Sequence, residues 1–307
     1  MVMLVVSIIF GLNFSVSKSL LSTGLVAPEA LTMARTLFAC VAFWIASIFM
    51  PREHVAWKDK LMLLLGSFCA VTLNQSLFVY GLNKTSPVDA SIVTTSTPMI
   101  AMILAAFVLK EPITFKKAFG VLVGAAGALT LISTAQYQRD HSSSMAGDMI
   151  IFSSSVIYSI YLVVVKPTIE RYSAVTVMKW MFLYSFLSIA PFMMMPLINA
   201  PLFKQSDTQP YLYLFYILFG ATFISYLLIP MAQKLIRPTT IGMYNYVQTL
   251  VATTAAIIVG QDRLTPVKLG SAVLIFLGVY LVTKSKSRQQ VLEEQARMRE
   301  MQEQEKR

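Results

Sequence analysis

Residues 86–127 read SPVDASIVTTSTPMIAMILAAFVLKEPITFKKAFGVLVGAAG, and residues 237–278 read RPTTIGMYNYVQTLVATTAAIIVGQDRLTPVKLGSAVLIFLG. A shift of 151 positions, without a gap, sets Pro238 on Pro87, Asp262 on Glu111, Leu264 on Ile113, Thr265 on Thr114, Lys268 on Lys117 and Gly278 on Gly127. Apolar positions match easily by chance; a proline, an acid, a threonine-lysine pair and a glycine held in one register do not. The chain therefore reads as two copies of one plan, and a repeat has to be settled before any fold is assigned.

Composition says what is repeated. Hydrophobic residues make up 56% of the 307 and charged residues 13%, against about 25% charged in soluble chains. The apolar residues run in blocks that approach the roughly 20 residues of a membrane-spanning helix, without the alternation of barrel strands. The expected class is an all-α polytopic membrane protein with ten transmembrane helices. Their spans fall roughly at 2–21, 30–50, 60–80, 88–109, 116–134, 147–166, 174–198, 211–231, 239–259 and 267–284. The first block lacks a basic n-region and a clear small-residue cleavage site, so it reads as the first membrane helix and not as a signal peptide.

Residues 1–135 and 147–284 then form two five-helix repeats, with 136–146 as linker and 285–307 as a mixed-charge tail. Five is odd, so the second copy enters the membrane in the opposite sense and the pair is inverted. Carriers use that architecture to expose one midplane site to either side in turn. With the N-terminus inside, the even-numbered loops hold ten Lys and Arg residues and the odd-numbered loops five, before the basic tail is counted. Positive-inside bias places both termini in the cytoplasm. The formal +10 lies at helix ends and in the tail, so no nucleic-acid partner is expected.

Catalytic and metal signatures are missing. The sequence has no phosphate-binding glycine loop and no His-Glu-x-x-His pattern; His54 and His141 both fall in loops. Cys40 and Cys69 show no ligand spacing and read as small buried hydrophobes. We expect neither an enzyme nor a cofactor nor a metal.

Polar groups inside the spans carry the functional signal, because an amide or charge facing lipid is costly and turns toward a cavity or a protein partner. Asn74 and Gln75 lie in the third span, and Thr94 to Thr97 precede Pro98 in the fourth. Ser225 and Tyr226 in the eighth span, and Asn245, Tyr246, Gln248 and Thr249 in the ninth, stand at matched depth. The expected cavity set is Phe14, Asn74, Gln75, Thr94, Thr97, Tyr158, Tyr161, Tyr226, Tyr244, Asn245 and Gln248, with interhelical hydrogen bonding the alternative for the amides. Tyrosine offers an apolar face with a hydroxyl, suited to holding an organic solute. Pro98 is the expected hinge. Lys18, Arg35, Lys179, Glu111 and Asp262 are the expected gating or charge residues; snorkelling is the alternative for the three cations. No acid lies deep in a span, so a buried carboxylate proton relay is not expected, and proton coupling is left to a mouth residue.

The residues Ile9-Phe10-Gly11-Leu12-Asn13-Phe14 with Lys18, Tyr80-Gly81-Leu82 through Ser86-Pro87, Pro98, Glu111-Pro112 and Gly120 to Gly127 resemble the EamA domain of the drug/metabolite transporter superfamily. The second copy departs from that pattern at Met231-Ala232-Gln233, at Thr249 in place of the central proline, and at Asp262 in place of glutamate. The resemblance implies a bacterial inner-membrane secondary carrier whose cavity is lined by the first four helices of each half. It implies export of amino acids or other small metabolites or drugs. The tyrosines point to an aromatic or amphipathic amino acid. A multidrug or quaternary-amine extruder is the nearest rival, a non-transporting scaffold or receptor the rival of another class, and monomer and homodimer both fit.

Overall fold

The computed structural model describes residues 2–85, 90, 93–135, 145–258 and 266–285. Over these residues the chain is helix and turn. Its long helices are α1 (Val2–Ser22), α2 (Pro28–Ile48), α3 (Trp57–Lys84), α4 (Thr97–Val108), α5 (Phe115–Ala135), α6 (Met145–Val164), α7 (Ala174–Ile198), α8 (Gln209–Leu235), α9 (Pro238–Ile258) and α10 (Pro266–Thr283). Among the described residues six of them, α1 to α3 and α6 to α8, are long and apolar enough to cross a membrane. The 21 residues of α1 run about 31 Å, the thickness of a hydrocarbon core. Phe107, Phe115, Leu187, Phe192 and Val273 stand exposed on the bundle, where lipid and not water is the compatible solvent. The chain is an all-α polytopic membrane protein.

Local chemistry sets the helix ends. After α1 the chain turns through Gly24, whose φ of 69° lies in the left-handed region that glycine enters without strain. α2 opens with Pro28 in its first turn and Glu29 beside the free N–H groups. Ser173 caps α7 by accepting the Thr176 N–H at 3.2 Å.

The expected continuous span 88–109 is corrected here. Residues 93–94 are helical, Thr95 and Ser96 form a turn, and α4 starts afresh at Thr97 with Pro98 in its first turn. Proline lacks the N–H that a helix interior needs but suits a first turn, so Pro98 begins a helix instead of bending one. Residues 86–89, 91 and 92, which include Pro87 of the repeat register, lie outside the described residues. α9 carries Thr249 where the first copy has Pro98, and it runs unbroken.

Two helices widen at matched positions. α3 is π-helical over Phe68–Leu73 and α8 over Tyr216–Ile224. In α8 the Thr222 and Ser225 hydroxyls reach back five residues to the Ile217 and Gly220 carbonyls, at 2.8 and 3.0 Å. Each wide turn is followed directly by a pair from the expected polar set, Asn74-Gln75 and Ser225-Tyr226. Such insertions re-aim the residues after them and occur often at functional sites.

Among the described residues the two largest of four apolar cores lie toward opposite ends of the bundle. One holds Phe43, Leu63, Tyr161, Met178, Phe182 and Ile229, around the start of α1 and the end of α2. The other holds Leu20, Leu31, Met33, Ile189, Leu197 and Ile217, around the opposite ends.

α5 and α10 pack closely and antiparallel through glycine. A Cβ on Gly278 would lie 2.6 Å from the Gly124 nitrogen and 2.7 Å from the Gly120 carbonyl, whereas one on Gly270 would meet nothing within 4 Å. Backbone cannot yield as a side chain can, so Gly278→Ala should cost about 1–3 kcal/mol of overpacking. Its apparent melting temperature in detergent should fall, while Gly270→Ala melts within a degree or two of the parent. Equal melting of both variants would contradict the packing described.

Candidate functional site

Between the two cores lies a cavity of about 100 Å³. Its lining comes from the middle of α1 (Phe10, Asn13, Phe14), α2 (Arg35), α3 (Asn74, Gln75, Phe78), Thr94 and Thr97, α6 (Ser154, Ser155, Tyr158), α8 (Tyr226, Ile229) and α9 (Asn245, Gln248). The wall is apolar and aromatic with a few convergent polar groups, the usual make-up of a small-molecule site.

Several of those polar groups hold the bundle together. Asn74 Nδ2 donates to Ser154 Oγ at 2.8 Å and to the Ser154 carbonyl at 3.1 Å, and Ser154 Oγ donates back to the Asn74 carbonyl at 3.0 Å. α3 and α6 are thereby tied at mid-depth. Asn245 Nδ2 donates to the Thr94 carbonyl at 3.2 Å, and its Oδ1 accepts from Gln248 Nε2 at 3.1 Å. Asn13 Oδ1 accepts from Ser17 Oγ at 3.0 Å, and the Tyr226 hydroxyl donates to the Ala70 carbonyl at 3.2 Å. Phe14 and Phe78 meet edge to face at 5.4 Å.

Other groups keep unused hydrogen-bonding capacity. Gln75 is 2% exposed and its amide lies beside the Tyr226 hydroxyl; among the described residues the Thr97 hydroxyl has no hydrogen-bond partner. Arg35 is 3% exposed. Its Nε donates to Thr222 Oγ1 at 2.9 Å, and one terminal nitrogen reaches the Ala221 carbonyl at 3.4 Å. The other terminal nitrogen, which carries two N–H groups, makes no described hydrogen bond. Among the described residues no Asp or Glu lines the cavity, and the ion pairs join Lys117 with Glu111, Lys166 with Glu170 and Arg171 with Asp59. Arg35 thus has no acid partner among them. A buried charge without a counter-ion costs several kcal/mol.

The other expected site residues stand elsewhere. Tyr161 is buried away from the cavity, and its hydroxyl donates to Gln233 Oε1 at 2.9 Å. Tyr244 packs against the core around the start of α1. Glu111 pairs with Lys117 at 2.7 Å. Asp262 lies outside the described residues. Lys179 lies on the outer surface, its ammonium 5.4 Å above the Trp44 ring.

Lys18 does not reach the cavity either. Its ammonium donates to the carbonyls of Leu82, Asn83 and Thr85, at 3.0, 3.0 and 2.9 Å, and so caps the end of α3. Lys166 caps the end of α8 in the same manner, donating to the Gln233 and Ile236 carbonyls. Cations at a helix C-terminus meet both the free carbonyls and the negative end of the dipole. Residues absent from the expected set also line the cavity: Phe10, Asn13, Phe78, Ser154, Ser155 and Ile229. Asn13, an amide in mid-span, was visible to the same rule that singled out Asn74.

The sequence profile of the EamA-like transporter family matches residues 1–133 and again residues 145–284. The chain belongs to the EamA-like transporter family. This EamA-like chain is 29% identical over 136 residues to an uncharacterized transporter, YetK, of Bacillus subtilis, and 26% identical over 158 residues to another, YyaM, of the same organism. Those matches span 44% and 50% of this chain but only 41% and 51% of the relatives. A probable amino-acid metabolite efflux pump of Salmonella typhimurium is 27% identical over 91% of this chain and 92% of its own. One solved crystal structure superposes with a TM-score of 0.69 at 17% identity, covering 92% of this chain and 96% of that one, which shows a shared fold. The family and these relatives are transporters, in keeping with the absence of catalytic motifs from the sequence.

Proposed function

We propose that this protein is a secondary transporter that exports amino acids or related small organic metabolites bearing a carboxylate, by alternating access of two inverted five-helix repeats. The observation that carries the reading is Arg35: a buried guanidinium, with no acid partner among the described residues, on the wall of a cavity at mid-bundle.

Contacts between equivalent positions support the inversion. Asn245 donates to the carbonyl of Thr94, 151 residues earlier, as residues beside a two-fold axis do. Gly120 lies against Gly278 and Gly127 against Ser271; shifting by 151 and exchanging halves turns the first contact into the second. On this reading residues 1–135 and 147–284 are the two repeats, both termini are cytoplasmic, and the membrane is a bacterial inner membrane. Pro98, at the break before α4, is the hinge of the first repeat.

A cavity of about 100 Å³ is below the roughly 300–1,000 Å³ of drug-sized sites, and that size suits a small solute. A quaternary-amine substrate would meet Arg35 with no described acid to balance it, which disfavours that rival. Tyr158 and Tyr226 supply flat walls for an aromatic or amphipathic amino acid.

Proteoliposomes loaded in parallel with an amino acid, its amide and a quaternary amine test the reading, each with and without an imposed proton gradient. The acid should move at least tenfold faster than its amide, and the gradient arm identifies proton coupling. Failure of the whole panel to move would reject transport of this class; equal rates for acid and amide would reject the role of Arg35.

A further inference from the structure

A second concavity lies outside the bundle, where α2 ends and α7 begins. It is a groove of about 800 Å³, separate from the central cavity. Its floor and walls are Val41, Trp44, Ile45, Ile48 and Leu183, and its rim carries Arg52, Glu53 and Lys179. Ile48 is 76% exposed, and this apolar wall continues the outer face of a membrane-crossing helix. The occupant of such a wall in a bilayer is an acyl chain.

The rim is organised and mainly cationic. Lys179 lies over Trp44, Trp44 meets Trp180 edge to face at 5.9 Å, and Lys60 stands 4.8 Å above the Trp180 ring. Tryptophan rings with lysines above them are characteristic of the headgroup level. Glu53, the acid of the rim, is already engaged. It accepts from the Ser173 N–H at 3.0 and 3.1 Å and from the Ser173 hydroxyl at 3.0 Å. Burial on its own would raise the Glu53 carboxyl, but hydrogen bonds from the Thr176 and Ser173 side, with Lys234 nearby, hold it below its ordinary range. The start of α7 adds the positive end of a helix dipole. No described acid pairs with Arg52 or Lys179.

We propose that this groove binds an anionic phospholipid, with its phosphodiester between Arg52 and Lys179 and one acyl chain along Val41, Ile45 and Ile48. A guanidinium and an ammonium supply charge-assisted donors to phosphate oxygens, and the apolar wall selects a lipid over a free phosphate. Positive-inside bias places the site at the cytoplasmic leaflet, where basic residues near the surface attract anionic lipid.

The test uses the full chain purified in detergent, with native mass spectrometry and thermal melting as readouts. The additives are phosphatidylglycerol, phosphatidylcholine and glycerol 3-phosphate in parallel. Phosphatidylglycerol should be retained at least fivefold more than phosphatidylcholine and should raise the melting temperature by several degrees, and glycerol 3-phosphate should do neither. Arg52→Gln with Lys179→Gln should abolish the preference. Arg52→Lys with Lys179→Arg, which keeps both charges, should preserve it and controls for misfolding. Equal retention of the two lipids, an undiminished preference in the double glutamine variant, or an equal shift from glycerol 3-phosphate would each overturn the proposal. The last result would identify a free-anion site.

Discussion

Arg35→Gln should lower kcat/KM for a carboxylate solute by about 100-fold, while the protein inserts and melts normally. Removing one member of a buried, hydrogen-bonded charge pair costs roughly 2–5 kcal/mol, and 1.4 kcal/mol is tenfold. In this structure Arg35 has only Thr222 and Ala221 as described partners. The substitution therefore removes an uncompensated buried charge, and the apparent melting temperature should hold or rise. Opposite signs on transport and stability separate a substrate contact from a structural strut. Arg35→Lys keeps the charge but not the planar fork of donors, and should fall between the two. Arg35→Gln carriers that still discriminate an amino acid from its amide would refute the assignment.

The repeat and the polar depth were legible because each rests on residue type. A fixed register of proline, acid and glycine survives without structure, and an amide in mid-span has to face inward. That reasoning reached Asn74, Gln75, Asn245 and Gln248, and all four line the cavity. It could not assign faces within an aromatic cluster. Tyr244 and Asn245 are neighbours in sequence, about 100° apart around a helix, and only Asn245 meets the cavity. Tyr161 sits one turn beyond Tyr158 and finds Gln233 instead. Ser154 and Ser155 gave no signal, because small hydroxyls are unremarkable in an apolar run. The wide turns before Asn74 and Ser225 were equally hidden, since they depend on backbone register and not on composition. Arg35 was read as able to snorkel. The structure buries it because the wide turn of α8 brings Thr222 and Ala221 against it.

The two capping lysines predict effects of opposite direction. Lys18 holds α1 to the end of α3, and Lys166, close to its equivalent in the second repeat, holds α6 near the end of α8. In an inverted pair those latches lie at opposite mouths, and both are closed in this structure. Hydrogen bonds to charged groups are worth roughly 1.5–3 kcal/mol each. Loss of even one bond of about 2 kcal/mol would shift a two-state equilibrium about 30-fold. Lys18→Gln should release the outer mouth and Lys166→Gln the inner one. The measurement is labelling of Thr97→Cys by a membrane-impermeant maleimide, in a background where Cys40 and Cys69 are replaced by alanine. From outside, labelling should rise about tenfold in Lys18→Gln and fall in Lys166→Gln; from inside, the order should reverse. Lysines that only cap helices would lower stability without a side-dependent change, and changes of the same sign from both sides would break the link between the repeats and alternating access.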